Sequence, residues 1–244
     1  SKLLYDGLNK PIESSGSMQY AIFDLDNTIL DFDRAEAANL AAVFQHHGVT
    51  DIRRAENEYQ AYNETVWQQI EQGADRDSLL DQRFQVFLGT LGITVDGPAV
   101  QQEYDQLLAH SYQVIPGAHE LLRTLTNAGL TLLVGTNGIK HTQLSRLAGA
   151  HMTPYFDHIF ISESIGYAKP NPHFFSAIHD QYPDMNATNT VMIGDSLRSD
   201  IVGATTAHLP SIWYNPQHVH NDTTIAPTYT VDNFKQLQKL LLTV

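Results

Sequence analysis

The sequence contains no cysteine among its 244 residues. This absence excludes a disulfide framework and every metal site built on thiolates. It fits a reducing compartment, so we predict a cytoplasmic location. Apolar runs of about 18 residues or more, which a membrane-spanning helix requires, are also missing from the sequence. We therefore expect no membrane association.

Positive charge is scarce in this chain. There are 14 lysine and arginine residues against 27 aspartate and glutamate residues, which gives a net charge of -13. Such a surface repels a phosphate backbone, so we do not expect a nucleic-acid polymer as a partner. A small anionic ligand would need cationic side chains concentrated at its site. Between residues 31 and 115 the sequence has no lysine.

The opening segment SKLLYDGLNKPIESSGS differs from the rest of the chain. It has neither the apolar stretch of a signal peptide nor a periodic pattern, and it ends in a Ser/Gly cluster. We predict that residues 1–17 are an added leader and that the natural chain starts at Met18. The alternative is a natural arm that packs on the core.

Two carboxylates interrupt the apolar stretch AIFDLDNTIL at residues 21–30. Side chains alternate along a strand, so Asp24 and Asp26 face the same side with Cα atoms roughly 6.5 to 7 Å apart. Two like charges at this range repel by about 2 kcal/mol at an effective dielectric constant near 20. A bound cation, a shared proton or a solvated strand end would each relieve this repulsion.

The remaining pattern predicts an α/β fold with a helical insertion. From Pro116 onward helical and strand patterns alternate, which is typical of a parallel sheet covered by helices on both faces. Between residue 31 and Pro116 only helical patterns occur, the first with Asp33 and Glu36 as a capping box. We predict a Rossmann-like core of residues 18–31 and 116–244 and an α-helical cap domain of residues 32–115.

Polar residues follow several of the predicted strands. In open parallel sheets ligands bind beyond the carboxyl ends of the strands. The candidates there are Asp24 and Asp26, then Thr136, Asn137 and Gly138 after LTLLVG, Lys169 in GYAKPNP, and Asp195 and Asp200 in GDSLRSD. Carboxylates suit a hard cation such as Mg2+. A lysine and backbone N–H groups suit phosphate oxygens.

These segments carry a resemblance to a known family. In order and spacing, DLDNT, TNG, KPNP and GDSLRSD resemble the four motifs of the haloacid dehalogenase (HAD) superfamily. The insertion resembles the helical cap of subfamily I, and TNG together with WYNP is similar to the pyrimidine 5'-nucleotidase branch. The resemblance implies a HAD fold and a Mg2+-dependent phosphatase. It also implies a small phosphate monoester as substrate, a pyrimidine nucleoside 5'-monophosphate above all.

The resemblance further implies a role for each acidic residue. Asp24 is the expected nucleophile, which forms an aspartyl phosphate. Asp26 is expected to protonate the leaving oxygen and then to deprotonate the hydrolytic water. The Asp24 carboxylate, the backbone carbonyl of Asp26 and Asp195 are the expected Mg2+ ligands. Asp200 is expected as an outer ligand or as the residue that orients Lys169.

Phosphate binding is implied for the second and third motifs. Thr136, Asn137, Gly138 and Lys169 are expected around the transferring phosphoryl group, whose spread negative charge the site must stabilise. Thr28 is expected to support the loop that carries the nucleophile.

Single residues separate the other chemistries of this superfamily. A haloacid dehalogenase does not require a second acid two residues after its nucleophile, so Asp26 argues against it. The missing cap lysine excludes a phosphonatase that forms a Schiff base. A phosphatase or phosphomutase for sugar phosphates or other small metabolites remains open, as does a non-catalytic regulatory protein that binds a phosphate ligand. Monomer and dimer both remain open.

Overall fold

The computed structural model describes residues 18–243, so the predicted leader of residues 1–17 lies outside the described chain. Within this part, six parallel strands form one sheet in the order β3-β2-β1-β4-β5-β6. The strands are β1 Tyr20–Phe23, β2 Thr131–Thr136, β3 His158–Ile161, β4 Thr190–Gly194, β5 Ser211–Tyr214 and β6 Tyr229–Val231. The parallel sheet confirms the predicted Rossmann-like α/β fold.

Five helices of the described chain lie between β1 and β2, and the first four belong to the insertion. These four are α1 Phe32–His46, α2 Ile52–Glu71, α3 Arg76–Thr90 and α4 Gly97–Ala109. Each is preceded by an aspartate whose side chain accepts a hydrogen bond from the N–H three residues later, namely Asp31, Asp51, Asp75 and Asp96. An acid at this position satisfies a free N–H group and complements the helix dipole. The helical insertion is confirmed, and its limits at residues 32 and 115 stay a prediction.

The predicted capping box of α1 is wrong. Asp31 caps the helix, whereas Asp33 exchanges two hydrogen bonds with the side chain of Asn27. Glu36 is buried inside the insertion instead of reaching back to the helix N-terminus. Asn27 has a φ of 60°, in the left-handed region that asparagine tolerates, so the chain turns sharply between β1 and α1.

Helices cover both faces of the sheet. They are α5 Ala118–Asn127, α6 Lys140–Gly149, α7 Ser162–Ile165, α8 Pro172–Gln181, α9 Val202–Thr206 and α10 Phe234–Thr243. A 3-10 turn at Thr153–Tyr155 lies between α6 and β3, and a π-helical turn at Leu197–Ile201 leads from β4 into α9. Phe23 and its neighbour Ile22 lie in separate buried clusters on opposite faces, as a parallel sheet requires. No described helix combines the length and the apolar character that a membrane crossing needs.

The two segments that connect the insertion to the sheet lie side by side. Leu30 and Val114 form an antiparallel bridge, and the N–H of Asp31 donates to the carbonyl of Gln113. The insertion also has its own buried cluster, which contains the aromatic residues Phe44, Tyr59, Phe84, Phe87 and Tyr104. Most of its aromatic side chains therefore serve packing.

Candidate active site

The predicted functional residues meet at the carboxyl edge of the sheet. Strands β1, β2 and β4 are neighbours and run in the same direction, so the residues that follow them share one edge. A cavity of about 260 Å³ lies there. Its lining includes seven of the predicted residues: Asp24, Asp26, Thr136, Asn137, Gly138, Lys169 and Asp195. Asp200 is fully buried next to this cavity, in contact with Lys169.

Lys169 joins two of these carboxylates. Its Nζ donates to Oδ1 of Asp24 at 2.9 Å, to Oδ1 of Asp200 at 2.6 Å and to the carbonyl of Gly135 at 2.7 Å. Burial alone lowers the pKa of Lys169, but Asp200 and Asp24 outweigh it and hold the pKa above its ordinary value. The ammonium group therefore stays charged, and each of its three protons has an acceptor.

Three carboxylates surround this lysine with more negative charge than it can balance. Oxygens of Asp24, Asp195 and Asp200 lie within 4.8 Å of one another. Burial, followed by the charge of Asp200, raises the pKa of Asp24. Burial and the charge of Asp24 likewise raise the pKa of Asp195 well above its ordinary value. A divalent cation with oxygen ligands, such as Mg2+, would relieve this repulsion, so the residues fit that ion.

Asp200 is the least available of the three acids for a direct bond to a cation. Its Oδ1 accepts from Lys169, and its Oδ2 accepts from the N–H of Ser196 at 3.0 Å. Gly194 makes room for this carboxylate, because a Cβ there would lie 2.1 Å from Oδ2 of Asp200. The geometry favours Asp200 as the residue that holds Lys169 and the loop of the fourth motif.

The carboxylate of Asp26 has partners that the sequence pattern did not reveal. Its Oδ1 accepts from Nη1 of the fully buried Arg146 at 2.5 Å. Its Oδ2 accepts from Nε2 of Gln143 at 3.0 Å, and the same Nε2 also contacts Oγ1 of Thr136 at 2.9 Å. Both partners come from α6, three positions apart. This spacing places them on one helix face, the only signal that the sequence offered.

The two acids of the first motif therefore have separate cationic partners, Lys169 for Asp24 and Arg146 for Asp26. The sequence suggested a bound cation, a shared proton or solvent as ways to relieve their repulsion. The structure shows a fourth way, in which each acid pairs with its own buried base. Lys169 also pairs with Asp200, so a bound cation would relieve only the charge that Lys169 leaves unbalanced on Asp195 and Asp200.

Asn137 and Thr136 fasten the loop of the second motif. Oδ1 of Asn137 accepts from the N–H of Lys169 at 2.8 Å, and its Nδ2 donates to the carbonyl of Lys169 at 3.0 Å. A phosphate contact through this side chain would break one of these bonds, so the geometry favours Asn137 as a positioning residue for Lys169. Oγ1 of Thr136 accepts from the N–H of Gly138 at 3.1 Å, which leaves its proton free for a ligand. The buried hydroxyl of Thr28 has no partner among the described residues.

The WYNP segment supports the fourth motif. Nε1 of Trp213 donates to the carbonyl of Asp195 at 2.8 Å, which fixes the backbone beside one of the predicted metal ligands. A larger groove of about 760 Å³ shares Asp195 and Arg198 with the cavity, but its lining includes neither Asp24 nor Lys169. The smaller cavity is therefore the candidate active site.

The helical insertion forms the remaining wall of the cavity. That wall contains Phe32, Glu64, Trp67, Glu71, Arg83, Tyr104, Asp105 and Leu108. Arg198, in the loop of the fourth motif, pairs with Glu71 and, at 2.6 Å, with Glu64 of α2. A second ion pair joins Arg76 of α3 to Glu163 at 3.5 Å. These contacts hold the insertion over the sheet edge.

Comparison with known proteins identifies the family. Residues 18–208 match the family model of the haloacid dehalogenase-like hydrolases. The chain belongs to this family. This hydrolase is 37% identical to the pyrimidine 5'-nucleotidase PynA of Streptococcus pneumoniae over 220 residues, 90% of this chain and 93% of that protein. It is 31% identical to the pyrimidine 5'-nucleotidase YjjG of Escherichia coli over 224 residues, 91% of this chain and 97% of that protein.

Solved structures confirm the fold of the hydrolase. The HAD-hydrolase YfnB of Bacillus subtilis, whose crystal structure was determined with bound magnesium and revealed interdomain movement, superimposes with a TM-score of 0.86 at 34% identity. The match covers 93% of this chain and 99% of that chain. The L-2-haloacid dehalogenase of Xanthobacter autotrophicus superimposes with a TM-score of 0.73 at 17% identity, over 92% of this chain and 98% of that chain. This second likeness concerns the fold alone.

Proposed function

We propose that this hydrolase is a Mg2+-dependent phosphatase that acts on nucleoside 5'-monophosphates, with pyrimidine bases preferred. The observation that carries the phosphatase assignment is the buried carboxylate of Asp24, held by Lys169 at 2.9 Å and placed two residues from a second acid. Its negative charge and its position at the cavity suit attack on phosphorus. The preference for pyrimidines is supported by the two related nucleotidases.

The proposed reaction has two steps. In the first, an oxygen of Asp24 attacks phosphorus, the bond from phosphorus to the ester oxygen breaks, and the leaving oxygen takes a proton from Asp26. In the second, water attacks the aspartyl phosphate and gives its proton to Asp26, which releases inorganic phosphate and restores Asp24. Asp26 is thus regenerated in its acid form for the next cycle.

The contacts of Asp26 indicate which of its oxygens exchanges the proton. Oδ1 is bound to Arg146 at 2.5 Å, whereas the bond from Gln143 to Oδ2 is longer, at 3.0 Å. The weaker contact opens more easily, so we assign the proton transfers to Oδ2. Arg146 then keeps the carboxyl group oriented throughout both steps.

The cationic and hydroxyl groups stabilise the phosphoryl group in this proposal. Lys169 faces it with a permanent charge, and Thr136 has a free hydroxyl proton to donate. When bound among Asp24, Asp195 and the backbone carbonyl of Asp26, Mg2+ would neutralise charge on the phosphoryl oxygens. Asp200 and Asn137 hold Lys169 in place from its two ends.

The size of the cavity favours a second candidate. Its volume of about 260 Å³ falls just below the range of about 300 to 1,000 Å³ for small-molecule sites. This size suits a phosphatase or phosphomutase for sugar phosphates or other small metabolites. A closed cap accounts for the same volume, since movement of the insertion would enlarge the cavity.

A substrate screen with Mg2+ present tests the proposal. We expect the kcat/KM values of dUMP, dTMP and UMP to exceed those of glucose 6-phosphate and phosphoglycolate. A sugar phosphate or a small-acid phosphate at least tenfold ahead of the nucleotides would favour the second candidate, and release of an isomeric ester instead of phosphate would identify a phosphomutase. Turnover of none of these esters would favour the non-catalytic alternative, a regulatory protein that binds a phosphate ligand.

Chelation tests the metal in the same assay. We expect EDTA to remove the activity and Mg2+ to restore it. Ca2+, with its larger and looser coordination shell, should support little turnover. Full activity in the presence of the chelator would contradict the role of Mg2+.

A further inference from the structure

Arg83 lies in the wall of the insertion, with part of its guanidinium group already fixed. Only 4% of the residue is exposed. Its Nε donates to Oε1 of Gln101 at 2.7 Å, and its Nη1 donates to Oδ1 of Asn63 at 3.0 Å. The guanidinium carbon also lies 5.1 Å from the ring centre of Tyr104. No residue of the described chain accepts a hydrogen bond from Nη2, so one donor end of this buried cation, which lines the cavity, has no partner in that part of the chain.

Asp105 offers the complementary group on the neighbouring helix. Its Oδ1 accepts from Nε2 of Gln101 at 2.8 Å, and its Oδ2 has no hydrogen-bond donor within residues 18–243. No direct ion pair joins Arg83 to Asp105 in this described part of the chain. Gln101 links the two side chains, because its Oε1 serves Arg83 while its Nε2 serves Asp105. The cavity wall therefore presents one free donor and one free acceptor in a fixed relation.

Flat apolar surfaces accompany this pair. Phe32 and Trp67 line the same cavity, and aromatic faces stack with bases. A second anionic group on the substrate is disfavoured here, because Glu64, Glu71 and Asp105 also line the cavity. The wall thus suits a flat, uncharged group that carries a hydrogen-bond donor beside an acceptor.

A pyrimidine base meets this description. Uracil and thymine have a ring N–H beside a carbonyl, and cytosine has an amino group beside a ring nitrogen acceptor. We propose that Arg83 and Asp105 read this edge of the base, with Nη2 of Arg83 donating to its acceptor and Oδ2 of Asp105 accepting from its N–H. The assignment rests on the proposed nucleotidase function and names the residues that choose the base.

The orientation of Gln101 makes the assignment sharply testable. Arg83 fixes the Gln101 carbonyl, so the Gln101 amino group must face residue 105. In an Asp105→Asn variant the new amide therefore turns its oxygen to Gln101 and its NH2 to the cavity. The substitution converts the free acceptor into a donor. Two adjacent donors match the two neighbouring acceptors of cytosine, and they clash with the ring N–H of uracil.

The experiment compares kcat/KM for CMP and UMP in the parent and in Asp105→Asn, with Mg2+ present. We expect the CMP to UMP ratio to rise at least about tenfold in the variant, given how strongly hydrogen-bonding sites reject a mismatched substrate. Any loss of folded protein cancels in this ratio. Asp81→Asn is the matched control, because Asp81 is an exposed acid of α3 outside the cavity lining, and it should keep the parent ratio. An unchanged ratio in Asp105→Asn would overturn the assignment.

A substrate analogue tests the same contact without a substitution. In 3-methyl-UMP a methyl group replaces the ring N–H, so the parent enzyme should use it at least about tenfold less efficiently than UMP. Equal efficiency would overturn the assignment even if Asp105→Asn did not fold. Ribose 5-phosphate, which lacks a base, separates the two levels of the argument. If kcat/KM of the parent for ribose 5-phosphate exceeds its kcat/KM for every nucleotide tenfold, the proposed nucleotidase function is wrong, and the proposed contact with the base is wrong as well.

Discussion

The sheet edge and the helical insertion treat charge in opposite ways, although they line one cavity. At the sheet edge most of the charged groups pair directly with one another, as Lys169 does with Asp24 and Asp200. In the insertion, Arg83 and Asp105 are each held at one end and free at the other. Interlocked groups reorganise little during a reaction, whereas free groups await a partner. The contrast supports the proposal that the sheet edge binds the phosphoryl group and the insertion binds the rest of the substrate.

Removal of the proposed nucleophile should have the largest effect on the sheet-edge side. Asp24→Asn keeps the volume of the side chain but cannot attack phosphorus, so we expect kcat to fall at least about 1,000-fold with the fold retained. Kinetics and thermal melting with Mg2+ present check both parts. Asp222→Asn, at an exposed site, is the control and should match the parent. Activity of Asp24→Asn within tenfold of the parent would contradict the assignment.

The second acid should show a smaller effect that depends on the leaving group. Asp26→Asn removes the proposed proton donor, so we expect a loss of about 100-fold or more with UMP, whose alkoxide leaving group needs a proton. The loss with p-nitrophenyl phosphate should be less than about tenfold, because that leaving group needs none. Comparison of the two kcat values in the parent and the variant measures the difference. Equal losses on both substrates would argue against proton transfer by Asp26.

Glu36 tests how the insertion tolerates a buried acid that lacks a full set of partners. Its Oε1 has no hydrogen-bond donor among the described residues, and burial raises its pKa to about 7. The folded chain therefore keeps this proton between about pH 4.5 and 7 while the unfolded chain releases it, so stability falls as the pH rises through this window. Glutamine does not titrate, and Glu36→Gln should escape this loss.

The expected gain is measurable by unfolding at several pH values. From pH 4.5 to 8, the free energy of unfolding of Glu36→Gln should rise by about 2 to 4 kcal/mol relative to the parent. Urea unfolding at pH 5, 6, 7 and 8 gives this difference. Glu120→Gln, at an exposed site on α5, should follow the parent. Parallel pH curves for Glu36→Gln and the parent would show that Glu36 titrates normally.

The smallest effect is expected where the two sides of the cavity touch. The side chain of Arg198 is 37% exposed, and ion pairs of such exposed groups contribute roughly 0.2 to 1 kcal/mol. Arg198→Gln should therefore raise KM by roughly two- to fivefold. It should also make KM less dependent on salt concentration. Arg54→Gln is the matched control, since the ion pair of Arg54 with Glu58 stays within α2. A rise in KM far above tenfold would show that Arg198 binds the substrate itself.

The sheet-edge side could be predicted from the sequence because its residues directly follow strands. Asp24, Thr136 and Asp195 are each adjacent to a short apolar run, and parallel strands bring such positions to one edge without further information. Lys169 follows the same logic after β3. Short motifs were therefore sufficient to predict most of the acidic residues and the lysine of the site, and to predict that they lie at the same edge of the sheet.

The partners of these residues could not be predicted in the same way. Arg146 reaches Asp26 only because α6 packs with its polar face toward the site, and Gln101 links Arg83 to Asp105 only because α3 packs on α4. Such contacts depend on the rotation of helices about their axes, which a few polar residues in a helical pattern do not determine. The sequence pattern does not predict strand β6 for a related reason, since Tyr229–Val231 is too short to give a pattern.

The bridge between Leu30 and Val114 makes the insertion a cassette. Its two ends meet in an antiparallel pair. The insertion is therefore a loop that is closed where it joins the sheet, whatever sequence that loop contains. The entropy of loop closure changes slowly with loop length, and neither the register of β1 with β2 nor the position of Asp24 depends on the contents. Replacement of the segment between Leu30 and Val114 by helices of another sequence would therefore keep the same phosphoryl chemistry and change the substrates on which it acts.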